Sequence, residues 1–157
     1  MYIRKKILFL LPLIFSLSVL SSDIEEIIVK GEYREKSLGE EDSSIVIIQS
    51  EQIKSQAIKH FQQLSHLVPN LNYAASDSRA RYFQIRGIGE RSGYQGTPNS
   101  SVGFLIDDID YSGQGGIATL FDVDQVEVFR GPQGSRSGAN ALAGLIYIKT
   151  KDPTEKF

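Results

Sequence analysis

The stretch from residue 126 to residue 150 constrains this chain most. Val126-Glu127-Val128-Phe129-Arg130 reads as a short alternating strand and runs straight into Gly131-Pro132. Glycine lets the backbone turn sharply and proline fixes φ, so the strand stops there. Residues 135–144 then carry small side chains at most positions, and residues 145–150 form a second strand-like segment. A fold for this chain has to accommodate two strands joined by a stretch with almost no bulk.

The rest of the body agrees with an α+β class, a small mixed β-sheet with short helices. Residues 44–48 are a short apolar run suited to a buried strand. Ser50 is placed to cap a helix with Glu51 in its first turn. Ile53, Ala57, Phe61, Leu64 and Val68 follow helical spacing, with a break expected near His60 and an end at Pro69. Further strands are expected at 71–74, 82–86, 102–106, 125–129 and 145–150. The intervals 75–81, 90–101 and 111–118 are polar and rich in Gly and Ser, and read as loops.

The first residues read as an address. Arg4, Lys5 and Lys6 precede an apolar run from 7 to 20, with Ser21 and Ser22 as small residues near a cut. The run is shorter than the roughly 20 apolar residues of a comfortable membrane helix. Residues 1–22 are therefore expected to be a secretory signal peptide. Residues 23–42 hold 8 acidic and 3 basic side chains, whereas from Ser43 onward the two signs balance at 11 each. An acidic, flexible tail (23–42) should thus precede a neutral body (43–153). Clustered positive charge is missing, which argues against nucleic acid as a partner. There is no cysteine, so an exported domain of this kind relies on its core.

Within the tail, Ile24-Glu25-Glu26-Ile27-Ile28-Val29 forms an apolar island in polar sequence. Such a tail cannot bury enough surface to fold alone. Its β-branched residues suit pairing as an extended strand, either with a partner or as the first strand of the domain itself.

Catalytic and cofactor signals are weak. His60 and His66 lie about 240° apart on a helix at ~100° per residue, so they share no face. Gly87-Ile88-Gly89-Glu90-Arg91-Ser92 begins like a dinucleotide fingerprint but ends in serine and leads into a loop, and residues 131–138 lack the Gly-Lys-Ser/Thr of a phosphate-binding loop. Asp107, Asp108 and Asp110 fit a tight turn, because Asp tolerates the left-handed conformation. No enzyme activity, metal or cofactor is expected.

Three ordered motifs resemble the plug domain of TonB-dependent outer-membrane receptors, from about residue 23 to residue 153. Residues 126–134 resemble the signature near the end of that plug. Gln84-Ile85-Arg86-Gly87 resembles its IRG motif, and Phe104-Leu105-Ile106-Asp107-Asp108 resembles its strand and Asp-Gly turn. The resemblance implies a TonB box at Ile24 to Val29, which docks by strand addition to the periplasmic C-terminal domain of TonB. It also implies that Arg86 and Arg130 project toward carboxylates on a surrounding outer-membrane β-barrel. Glu127 belongs with them, either as a plug–barrel contact or as an internal partner of Arg130. Gly87, Asp107, Gly131, Pro132, Gly134, Gly138 and Gly144 are the implied turn and motif positions. Outward loops carrying Arg79, Arg81, Arg91, Tyr94 and Gln95 would help to hold a small-molecule cargo such as an iron-siderophore, cobalamin, haem or an oligosaccharide.

The chain departs from the pattern in places. Asp108 stands where the turn has glycine, Asp110 where proline follows, Arg136-Ser137 where many members have Leu-Tyr, and Ala143 for a usual glycine. Arg136-Ser137 is expected to weaken local packing. A plug-housing barrel has about 22 strands of about 10 residues each, more sequence than is present. Residues 154–157 would mark the start of that barrel. The expected function is the plug of an outer-membrane active transporter, here as a truncated or fragmentary receptor. The alternatives are a stand-alone periplasmic interaction module and, ranked lower, a nucleotide-binding enzyme using the glycine-rich loops.

Overall fold

The computed structural model describes residues 26–32, 34–40, 42–75, 79–92, 99–115 and 118–154. The expected signal peptide, Ile24, Glu25, Tyr94 and Gln95 lie outside the described residues. No helix among the described residues is long and apolar enough to cross a membrane.

The chain builds nine strands among those residues: β1 (Ile28–Val29), β2 (Lys36–Ser37), β3 (Ile45–Gln49), β4 (Leu71–Ala75), β5 (Ala80–Ile85), β6 (Val102–Ile106), β7 (Ile109–Asp110), β8 (Val123–Arg130) and β9 (Gly144–Thr150). Three short helices, α1 (Ser50–Ser55), α2 (Phe61–Leu64) and α3 (Gly134–Ser137), lie between them. The main sheet is mixed, in the order β3-β8-β9-β6-β7. Only β6 and β9 run parallel; the other neighbours are antiparallel. The pairs β1–β2 and β4–β5 are separate two-stranded ribbons.

Side chains alternate across a strand, and β8 shows what that does here. Val126 and Val128 face Ile48, Phe104, Ile146 and Ile148 in the larger core, which α1, α2 and the β4–β5 ribbon cover. Phe129 faces the other way, into a second cluster with Val29, Leu105, Ala141, Leu145 and Tyr147. The β8–β9 register keeps the layers apart, pairing Val126 with Ile148 and Val128 with Ile146, but Glu127 with Tyr147 and Phe129 with Leu145. Both faces of the sheet are therefore buried.

The helical spacing over 53–68 is realised as three pieces, α1, α2 and a 3-10 turn at Ser65–Leu67, and the break expected near His60 is present. After α1 the chain enters the left-handed region at Ala57 (φ 52°). Residues 59 and 60 then run extended, and His60 bridges to Thr119. The helix restarts because Gln63 Oε1 accepts the Lys59 and His60 N–H groups, at 2.8 and 3.1 Å, which its own backbone could not satisfy. Ser50 is not the cap of α1: Gln49 holds that position, and the Ser50 hydroxyl donates to Glu51. Strand β5 begins at Ala80, inside the interval read as a loop.

Three rings centre the larger core. Phe61 meets Phe83 and Phe104 edge-on at 5.1 and 5.2 Å, and Phe83 stacks on Phe104 at 5.5 Å. They join α2, β5 and β6, elements with no backbone ladder between them. Phe104→Ala should cost about 3–5 kcal/mol, read as a shift of the urea midpoint. A loss below about 1 kcal/mol would place the organising contacts elsewhere.

Candidate functional site

The N-terminal segment lies across the second face of the sheet, and β8 holds it. Val29 is fully buried there. Glu127, also fully buried, turns its carboxylate to two successive amides: Oε1 accepts the Lys30 N–H at 2.6 Å and Oε2 the Gly31 N–H at 2.8 Å. Gln125, two residues earlier on the same face, donates to Glu127 Oε1 at 2.6 Å and to the Ile28 carbonyl at 2.9 Å. Outside this shell, Lys30 Nζ pairs with Asp124 at 2.8 Å. Burial pushes the Glu127 carboxyl up from its ordinary value, against the opposing pull of the Lys30 and Gly31 amides, Gln125 and Arg136.

Two expectations change as a result. A wholly flexible tail does not describe residues 28–32 and 34–40, where β1 pairs with β2 and Leu38 N donates to the Ile27 carbonyl at 2.9 Å. The segment does not fold alone, as its composition requires; it is held by β8. Glu127 is not the partner of Arg130. It points to the strand face opposite Arg130, and its oxygens are taken by Lys30, Gly31 and Gln125. Within the TonB-box-like segment, Glu26 and Ile28 are exposed and Ile27 is half-buried.

The two motif arginines leave neighbouring strand ends. A Cβ on Gly144 would stand 2.6 Å from Ile85 Cδ1 and 2.3 Å from the Phe129 carbonyl oxygen. The residues just before Arg86 and Arg130 therefore press on one spot, and only glycine fits between them. Arg86 and Gly87 take φ 54° and 81°, closing a two-residue turn in which Ile85 and Ile88 exchange hydrogen bonds. Positive φ at both central positions is the signature of a type I′ turn, and arginine is an unfavoured first residue for it. The Arg86 side chain is exposed. Arg130 is half-buried, and its Nε has no hydrogen-bond partner among the described residues.

Asp107 and Asp108 make a second such turn, with φ 45° and 71°. Asp107 reaches back to β9, accepting from Thr150 N at 3.0 Å and Thr150 Oγ1 at 2.5 Å, with Lys149 Nζ at 3.6 Å. Asp108 pairs with Arg136, whose guanidinium also lies over the Tyr147 ring at 4.8 Å. Arg136 thus supplies packing where weakened packing was expected, and two of the departures from the family pattern meet each other. Asp110 accepts from Asn140 Nδ2 at 2.9 Å, tying the same turn to the segment after α3. Gly134 opens α3, Gly138 follows it with φ 60°, and Gly131-Pro132 separates it from β8.

Arg79 is exposed. Arg81 Nε donates to the Gly113 carbonyl at 3.2 Å. Arg91 is exposed next to Glu90, which caps Ser101 through its amide (2.9 Å) and hydroxyl (2.6 Å). Among the described residues no group of three or more His, Cys, Asp or Glu is placed to hold a metal ion.

Residues 37–145 match the model of the TonB-dependent Receptor Plug Domain, and the chain belongs to that family. The pesticin receptor of Yersinia pestis is 26% identical over 146 residues, which is 92% of this chain but 21% of that protein. The chain thus spans about a fifth of that curated relative's length. The crystal structure of the ferric yersiniabactin uptake receptor from Yersinia pestis is 27% identical and superimposes with a TM-score of 0.60, over 71% of this chain and 17% of the other. The outer-membrane ferripyoverdine receptor of Pseudomonas aeruginosa reaches a TM-score of 0.67 at 19% identity, over 83% of this chain and 17% of the other, a likeness of fold.

The Asp107 contacts generate a prediction. Burial alone would raise this carboxyl, but the Thr150 hydroxyl and amide, with Lys149, outweigh it and hold Asp107 below the ordinary aspartate value. A carboxyl with a lowered folded pKa adds stability above its unfolded value, and that stability is lost as pH falls through the folded one. Asp107→Ala should cost about 1–3 kcal/mol at neutral pH, and the gap from the unaltered chain should close as acid protonates the carboxyl. Urea midpoints measured across acid pH check this; a gap that does not depend on pH would contradict it.

Proposed function

We propose that this chain is the gate of a TonB-dependent outer-membrane active transporter. The plug occludes a surrounding barrel, its loops contact the cargo, and its N-terminal segment passes the pull of TonB to the sheet. Residues 1–22 direct the chain through the inner membrane, and it works on the periplasmic side of the outer membrane. An iron-siderophore is the favoured cargo, because similar proteins are named for ferric yersiniabactin and ferripyoverdine. The work is binding and gating, with no reaction step. The observation that carries the reading is the pair of arginines at adjoining strand ends. One is exposed and the other holds a buried donor without a hydrogen-bond partner among the described residues, which suits a seat for barrel carboxylates. Guanidinium suits this role because it stays charged and pairs with carboxylates through two parallel bonds.

The test assembles the plug with a barrel, taken from downstream sequence or a close relative. Removing one partner of a buried pair costs roughly 3–5 kcal/mol, and that penalty belongs to the assembled receptor. Arg86→Ala and Arg130→Ala should raise sensitivity of cells to large antibiotics, which leak past a loosened plug. The urea midpoint of the free domain should move much less, since Arg86 is exposed there and Arg130 Nε has no hydrogen-bond partner among the described residues to lose. Equal damage to the free domain would assign the arginines to the plug's own fold.

The TonB-docking role has its own check. Ile28→Pro removes a backbone donor from an extended segment. Its affinity for the TonB C-terminal domain should fall at least tenfold, about 1.4 kcal/mol, by calorimetry. Unchanged binding would move the docking segment elsewhere.

A further inference from the structure

Between the end of α1 and residues 119–121 lies a cavity of about 410 Å³, a size in the range of small-molecule pockets. It sits at the end of the sheet where β3 stops and β8 begins, since Gln49 pairs with Gln125 there, while Arg130 pairs with Gly144 at the other end. The cavity is therefore remote from the two motif arginines. A break in the helical run makes its room. Ala57 turns left-handed (φ 52°), a conformation that glycine favours and a side chain resists. Lys59 and His60 then run beside residues 119 and 120, through the His60–Thr119 bridge and a Leu120 N–H bond to the Lys59 carbonyl at 3.0 Å. Ile53, Ile58 and Leu120 line the hollow that this detour leaves. Phe121 stands beside them with 94% of its surface exposed, so cavity and ring form one contiguous apolar patch.

The charges around this patch are of one sign. Lys54, Lys59 and His60 stand at the cavity, and no carboxylate is among its described lining residues. Two polar cavities elsewhere differ: one has Glu32, Asp108 and Asp110 beside Lys30 and Arg136, the other Glu26, Glu51 and Asp124 beside Lys30. There the chain answers its own cations, Lys30 with Asp124 and Arg136 with Asp108. His60 adds Nδ1, which is buried and has no hydrogen-bond partner among the described residues. A buried polar atom without a partner calls for one, and an imidazole nitrogen can donate to a carboxylate oxygen.

We propose that this cavity binds a small amphipathic carboxylate, with its apolar ring or chain against Ile53, Ile58, Leu120 and Phe121 and its anionic group at Lys54, Lys59 and His60. Apolar burial supplies affinity without direction. The cationic groups supply the direction and favour an anion over a neutral molecule of the same shape. The site is distinct from the arginine seat at the other end of the sheet.

Hydrocinnamate, a phenyl ring on a short carboxylate chain, is the probe, and hydrocinnamide is its neutral counterpart. Titrating the full chain with hydrocinnamate should give saturable NMR shifts of the amides of residues 53–60 and 119–121, with Val128 and Ile146 unmoved. Hydrocinnamide should bind at least about fivefold more weakly, since ion pairs at exposed lysines contribute modestly. The double variant Lys54→Gln/Lys59→Gln should remove that preference; both side chains are exposed, so the core stays intact. Phe121→Ala, also at an exposed side chain, should weaken both probes. Shifts that do not saturate, or equal affinity of the unaltered chain for the two probes, overturn the proposal. Two other occupants would overturn it as well. Shifts of the same amides with protein concentration, in the absence of probe, would assign the cavity to a second copy of the chain. Loss of hydrocinnamate binding on assembly with a barrel would assign it to the barrel wall.

Discussion

Strand β8 is buried on both faces, and every polar side chain on it must therefore find partners inside the protein. Glu127 is the demanding case, since an isolated buried carboxylate is far costlier than a buried amide or hydroxyl. Two backbone amides and the Gln125 amide meet its oxygens. Those two amides come from a part of the chain almost one hundred residues away. The buried charge thus fixes where the N-terminal segment lies, and the segment completes the second core by inserting Val29. Removing either side leaves the other unsatisfied. This mutual dependence is why residues 28–31, too short to fold alone, belong to the body of the domain.

Much of the sheet was legible because its local signals agree with its final environment. Val102–Ile106 and Leu145–Thr150 are apolar runs in a doubly covered sheet, and the structure has strands there with at most one residue of difference. The two-residue turns were marked by Arg86-Gly87 and Asp107-Asp108, although arginine there tolerates a φ that its own preferences resist. The helical run over 53–68 was marked for a buried face, formed by Ile53, Phe61, Leu64 and Val68, and for a break near His60, and both are present. Its continuity is broken by Ala57, and nothing in that spacing reveals that residues 59 and 60 are needed for contacts with residues 119 and 120.

The site was less legible, for a related reason. Alternation of Gln125 and Glu127 with Val126 and Val128 looks like a strand with one wet face. Sequence alone does not show that a distant peptide covers that face. Separation of 97 residues hides the pairing of Glu127 with Lys30. Arg136 was hidden in the same way: alone it looks like a defect in a small-residue stretch, yet it neutralises Asp108 and stacks on Tyr147. The hint lay in two departures occurring together, a charge added to the turn and an opposite charge added after α3.

The link from structure to function runs through β8. It bears Arg130 at one end, at the proposed barrel seat, and Gln125 and Glu127 at its middle, where the N-terminal peptide is held. A pull on that peptide is delivered to a central strand of the sheet rather than to an edge. The most direct measurement is an NMR experiment that detects scalar coupling across hydrogen bonds, correlating the Lys30 and Gly31 amide nitrogens with the Glu127 carboxyl carbon. The account predicts that both correlations are present at neutral pH and that both vanish in Glu127→Ala. Absence of both in the unaltered chain, with Lys30 and Gly31 amides exchanging at the rate of an open peptide, would contradict it.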